Sequence, residues 1–140
     1  MPMSDGTGPK KTSRREKLRE ATMAEMRSIA RELLVSQGAA AVTVNAVARR
    51  MGMSGPALYR YYSSQGELTE ALRHDLYCEL VNALTSARDR SGAANPDCRL
   101  LAICRALRQW AVAHPAEFGC LFATPAPDGH ERCTNLSQSG

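Results

Sequence analysis

Aromatic residues are scarce in this sequence, with two Phe, one Trp and four Tyr among 140 residues. Aromatic side chains favour strands, so their scarcity beside abundant Ala, Leu and Arg points to packed helices and an all-α fold. No apolar run approaches the roughly eighteen residues of a membrane span, and no charged-then-apolar start marks a secretion signal, so the cytoplasm is the expected location and no membrane contact is expected. The cysteines are odd in number (Cys78, Cys98, Cys104, Cys120, Cys133) and lack CxxC spacing. Three of them lie in apolar helical stretches, and reduced, buried thiols are the expectation. There is no phosphate loop, no nucleophile with a base at a usable spacing and no metal cluster, and His74, His114 and His130 are scattered. Neither enzyme chemistry, a metal nor a cofactor is expected.

What is present is charge, unevenly placed. The formal net charge is +4, but residues 1–62 hold eleven Lys or Arg against five acids, whereas residues 63–140 hold seven against nine. A basic half suits a polyanion such as nucleic acid, and the same charges also fit solvated helix faces. The length allows one domain, or a small domain and part of a second.

Residues 1–13 mix Gly, Pro, Ser and Lys without apolar periodicity, as a flexible basic arm does, and Lys10, Lys11, Arg14 and Arg15 gather at its end. From Arg14 to Gln37, Leu18, Ala21, Met26, Ile29, Ala30, Leu33 and Leu34 recur at helical spacing, and Gly38 supplies the stop. Thr43 then caps a short helix reaching Met51, with Val44, Val47, Ala48 and Met51 on one face. After Gly52, Ser54 caps a third helix with Pro56 in its first turn, expected to run to Tyr62. Ser64 and Glu67 have capping-box spacing and precede a stripe of Leu68, Leu72, Leu76, Leu80 and Leu84, widened by Ala71 and Ala83, which predicts a long helix ending near Arg88. Asn95-Pro96-Asp97 opens a fifth helix with Leu100, Ile103, Cys104, Leu107, Trp110, Ala111 and His114 on one face. Pro115 interrupts it, Phe118, Leu121 and Phe122 suggest a further short helix, and residues 124–140 read as a disordered tail.

Two short helices joined by Met51-Gly52-Met53 fit a helix-turn-helix, in which the second helix enters a major groove. Ser54, Gly55, Pro56 and Ala57 are small, as a turn approaching base edges must be. A plain helical hairpin fits the spacing as well. Gly38, Thr43, Val47-Ala48, Gly52-Met53-Ser54, Leu58-Tyr59-Arg60-Tyr61-Tyr62 and Leu68 together resemble the N-terminal domain of TetR/AcrR-type regulators, over about residues 16–72. The resemblance implies a helix-turn-helix head (14–66), a linking helix and partial ligand and dimerisation domain (67–123), and a homodimer repressing from a palindromic double-stranded operator. It implies that Thr43 caps its helix against a phosphate and that Ser54, Gly55, Pro56 and Ala57 face the groove. Tyr59 and Tyr61 match phosphate-contacting positions, Tyr61 standing where many members have His. Tyr62 stands at a core Phe position, and Gln65 where most members have Lys. Arg60 is open to base, phosphate or solvent, and Arg49 and Arg50 are further cationic candidates.

Residues 98–122, with Trp110, His114-Pro115, Phe118 and Leu121-Phe122, are similar to the opening of an effector domain that encloses a small molecule. Trp110, Phe118 and Phe122 are accordingly either lining for an unknown small-molecule effector or ordinary core. Family members usually continue through paired helices that form the dimer interface. This chain stops before them, so exposed apolar surface is expected on its fourth to sixth helices, and two functional expectations stand. One is a ligand-responsive, sequence-specific DNA-binding repressor. The other is a truncated helical protein that binds no DNA alone and acts by association with a full-length relative.

Overall fold

Ser13 starts the first helix. Its hydroxyl accepts a hydrogen bond from the Glu16 amide at 3.2 Å, and the Glu16 carboxylate accepts one from the Ser13 amide at 2.9 Å. This reciprocal box satisfies two amides that a first turn leaves unpaired, and it opens α1, Arg14–Gln37. The computed structural model describes residues 13–92 and 94–122; the expected arm, the expected tail, His130 and Cys133 lie outside them. After a 3-10 turn at Ala39–Ala41 come α2 (Val44–Met51), α3 (Gly55–Leu58), α4 (Gln65–Arg90), α5 (Pro96–Ala113) and α6 (Pro115–Phe122). No strand occurs among the described residues, and the fold is all-α.

Each boundary has a local cause. Gly52 closes α2 with φ 67, a left-handed conformation that glycine adopts without Cβ strain. Asn95 accepts from the Asp97 amide and Pro96 occupies the first turn of α5, where no amide proton is needed. Two expected details differ. The third helix closes as an α-helix at Leu58 instead of Tyr62. Beyond it the amides of Arg60 and Tyr61 reach the carbonyls of Ala57 and Leu58, three residues back, so the chain winds tighter and then turns. Of the expected box at α4, Ser64 accepts from the Glu67 amide, but the Glu67 carboxylate turns to the amide and hydroxyl of Ser63. Those two bonds hold its pKa below the usual carboxylate range.

The core joins five helices. Met26, Ala30, Leu33 and Leu34 of α1 meet Val44, Val47 and Ala48 of α2, Leu58 of α3, Leu68, Leu72 and Leu76 of α4, and Cys120 of α6, with Val42 and Tyr62 filling between. Burying one such Leu is worth about 1.5–3 kcal/mol relative to leaving it in water. Tyr62 is 2% exposed. Its phenol donates toward the Met23 carbonyl and accepts from Arg27 at 3.0 Å, so the extra oxygen at this core position is hydrogen-bonded. Leu18 is 69% exposed, because the first turns of α1 overhang the bundle.

α5 lies along α4, and only Trp110 of its expected apolar face is buried; Leu100 and Leu107 are exposed, as are Leu101 and Val112. The periodic face is real, but among the described residues α4 covers only part of it. The thiols follow the same logic. Cys78, Cys98 and Cys104 are exposed, contrary to expectation, because they fall on sides of α4 and α5 that no described helix covers, while Cys120 is buried in the core and burial pushes its thiol pKa up.

Candidate nucleic-acid interface

The capping that forms α2 and α3 also builds the candidate reading surface. Thr43 Oγ1 accepts from the Ala46 amide at 3.1 Å, which leaves its hydroxyl proton available to an external acceptor. Ser54 does the same for the Ala57 amide at 3.3 Å. Ser54 and Pro56 are exposed and Gly55 and Ala57 half-buried, so the leading turn of α3 is slim and open. A Cβ on Gly55 would sit 3.2 Å from Asn45 Oδ1, tighter than ordinary contact. Glycine here lets α2 and α3 approach, and it places the exposed Asn45 side chain beside the turn. Asn45 was missed by the sequence reading, since a polar residue on the outer face of a helix carries no periodic signal.

Beyond α3, Tyr59 and Arg60 are exposed and Tyr61 is half-buried. The guanidinium of Arg19, reaching from the overhanging start of α1, lies over the Tyr61 ring at 5.1 Å from its centroid and donates to the Arg60 carbonyl at 2.9 Å. Arg50 pairs with Glu32 of α1 at 3.6 Å, while the exposed Arg49 and Arg60 side chains have no ion pair among the described residues. Gln65 is exposed at the first position of α4. Thr43, Ser54, Gly55, Pro56, Ala57, Tyr59, Arg60, Tyr61 and Gln65 thus lie at the starts of α2, α3 and α4 and on the turn between the last two.

A second polar cluster ties this head to the remaining helices. Arg31 of α1 donates to both oxygens of Glu79 of α4, at 2.6 and 3.2 Å, and to Glu117 of α6 at 3.3 Å. Trp110 Nε1 donates to Glu79 at 3.4 Å, and the Trp110 ring stacks against that of His114, with centroids 5.0 Å apart. The Arg31 hydrogen bond holds the Glu79 carboxyl below the usual carboxylate range and, with its reciprocal pairing, raises the Arg31 pKa. Glu117 is only 5% exposed, and Arg31 and His114 face it. Arg27 adds a parallel tie to Asp75 at 2.6 Å. Burial opposes its charge, but hydrogen bonds to Tyr62, Asp75 and Glu20 outweigh it and raise its pKa.

The candidate effector residues are placed differently from one another. Phe118 and Phe122 stack at 4.7 Å, whereas Trp110 is engaged with Glu79 and His114. Phe122 borders an open hollow of about 360 Å³ with Glu70, Arg73, His74, Tyr77 and Leu121. Among the described residues no group of three or more His, Cys, Asp or Glu is arranged to hold a metal ion, and no helix is long and apolar enough to cross a membrane.

Residues 28–72, which contain α2, α3 and their turn, match the family described as bacterial regulatory proteins, tetR family; residues 100–140 match the tetracyclin repressor-like, C-terminal domain. The HTH-type transcriptional regulators Rv1816 of Mycobacterium tuberculosis and Mb1846 of Mycobacterium bovis are each 37% identical over 120 residues, covering 86% of this chain and 51% of their own length. The HTH-type transcriptional regulator Rv0681 of Mycobacterium tuberculosis is 29% identical over 64% of this chain and 39% of its own. The crystal structure of SCO4313, described as a regulatory protein, superposes with a TM-score of 0.69 at 39% identity, covering 84% of this chain and 55% of that one. The chain therefore spans about half the length of the relatives it matches.

Proposed function

Because the chain belongs to the TetR family of bacterial regulatory proteins, we propose that it is a sequence-specific DNA-binding transcriptional repressor of the cytoplasm, reading a palindromic double-stranded operator through residues 43–65. The observation that carries this reading is the slim, open leading turn Ser54-Gly55-Pro56-Ala57, flanked by exposed Tyr59 and Arg60 within the matched segment. Small residues let a backbone approach base edges, and Thr43, Tyr59, Tyr61 and Gln65 supply donors to the phosphates on either side. A palindrome requires two copies, so pairing of the chain belongs to the same reading.

Response to a small molecule is supported by the match of residues 100–140 to a tetracyclin repressor-like domain. Trp110, Phe118 and Phe122 are the aromatic residues offered to such an effector. The ties of Arg31 to Glu79 and Glu117 give any movement of α4 or α6 a direct grip on α1, and through it on the head.

Fluorescence anisotropy with palindromic DNA from the chain's own upstream region, at two salt concentrations, tests the reading. Binding that prefers one sequence and weakens with salt is expected; flat or absent binding sinks it. The exposed Leu100, Leu101, Leu107 and Val112 favour a second reading, in which the chain binds no DNA alone and works by association with a full-length relative. Light scattering separates the two, a defined dimer supporting the first and a monomer or aggregate the second.

A further inference from the structure

We propose that Arg19 is a positioning residue of the DNA-reading surface: from the overhang of α1 it fixes the end of the recognition element and the ring of Tyr61, the phosphate-facing phenol. The inference rests on the DNA-reading function above but concerns a residue outside residues 28–72, the part matched to the family model, and one to which the resemblance assigns no role.

Three observations carry it. First, the chain leaves α-helical winding after Leu58, and among the described residues no backbone amide donates to the Arg60 carbonyl. The Arg19 guanidinium occupies that vacant acceptor at 2.9 Å, joining residues 41 positions apart. Second, the same guanidinium covers the Tyr61 ring at 5.1 Å. A half-buried ring at the end of a turn has freedom about its side-chain torsions, and a cation held over one face removes part of it. Only a planar group with several donors can stack on a ring and donate sideways at once, so Arg is the residue this geometry requires and Lys does not replace it. Third, Arg19 is exposed and is not itself among the residues of the core cluster, which Tyr61 borders, so its bonds act chiefly on the placement of 60–61.

The test uses the 140-residue chain, the variants Arg19→Lys, Arg19→Gln and Tyr61→Phe, and the double variant Arg19→Gln/Tyr61→Phe, in the same anisotropy measurement. Arg19→Lys and Arg19→Gln are each expected to weaken binding about threefold to tenfold. The salt slope should stay that of the unaltered chain, the melting temperature should not change, and the double variant should bind no more weakly than the worse single one. In the free chain, the ring signals of ¹³C-labelled Tyr61 should move in both Arg19 variants. If Arg19→Lys binds like the unaltered chain while Arg19→Gln loses about one unit of salt slope, Arg19 is an ordinary phosphate contact and the proposal is overturned. Unmoved Tyr61 signals overturn it, as does a fall in melting temperature that accounts for the lost affinity. If the unaltered chain does not bind, the DNA-reading function itself fails and the proposal with it.

Discussion

Gln65 sits exposed at the first position of α4, beside amides that carry the positive end of the helix dipole. The resemblance places a Lys there in most family members, and under the proposed function this position faces a DNA backbone. Gln65→Lys is expected to tighten DNA binding and steepen the logarithmic salt slope by about 0.9, the share of one added phosphate contact. It should also cost about 0.3–1 kcal/mol of stability, because a cation at a helix N-terminus opposes the dipole. Anisotropy across a salt series and urea midpoints measure the two effects separately. Residues such as Thr43, Ser54 and Asn95 were legible in the sequence because a cap is a local bargain between a side chain and an amide two or three residues on. Arg19 was not, since its partners lie 41 and 42 positions away and nothing in local spacing points to them. The exposure of Cys78, Cys98 and Cys104 was misjudged for a related reason: an apolar neighbourhood in sequence does not say which side of a helix meets another.

At the scale of elements, the turn between α2 and α3 depends on one backbone conformation. Gly52 has φ 67, and a Cβ there would meet nothing within 4 Å, so the penalty of a side chain is conformational strain without a clash. Gly52→Ala is therefore expected to destabilise the chain by about 1–2 kcal/mol, seen as a lower urea midpoint at unchanged slope. The same variant should weaken DNA binding, because any relaxation of the strain tilts α3 against α2. Helix positions were readable where one face is fully covered: the stripe Leu68, Leu72, Leu76, Leu80 is buried as its spacing requires, and Leu84, further along α4, is half-buried. They were less readable where cover is one-sided. α5 shows clean periodicity, yet Leu100 and Leu107 stay exposed, since periodicity reports an apolar face and not what lies against it. The end of α3 was overrun because nothing in Tyr59-Arg60-Tyr61 forbids a helix; the tightening after Leu58 is a tertiary outcome, with Arg19 and the buried Tyr62 pinning the chain.

Across the whole molecule, the head and the later helices are joined by charge as well as by core. Glu79 is held below the ordinary carboxylate value of 4.5, chiefly by the Arg31 hydrogen bond. A carboxylate whose folded pKa is depressed contributes stability that is fully present above its unfolded value and is lost as pH falls through the folded one. Stability should therefore hold steady from neutral pH down to about 4.5 and decline below it, and Glu79→Gln should lower stability at neutral pH while flattening that acid decline. Urea unfolding of both chains at neutral pH and below 4.5 checks this. Because both Glu79 oxygens converge on Arg31, the acid decline is expected to loosen α1 from α4 first.

The same cluster holds the one tryptophan of the sequence, its indole N–H on the Glu79 carboxylate and its ring against His114. Indole emission responds to charge and to imidazole at this range. The chain thus carries an optical gauge where its two parts meet: a displacement of α1 that draws Arg31 away from Glu79 alters the field on the indole, and the joint can be watched by its own light without an added dye.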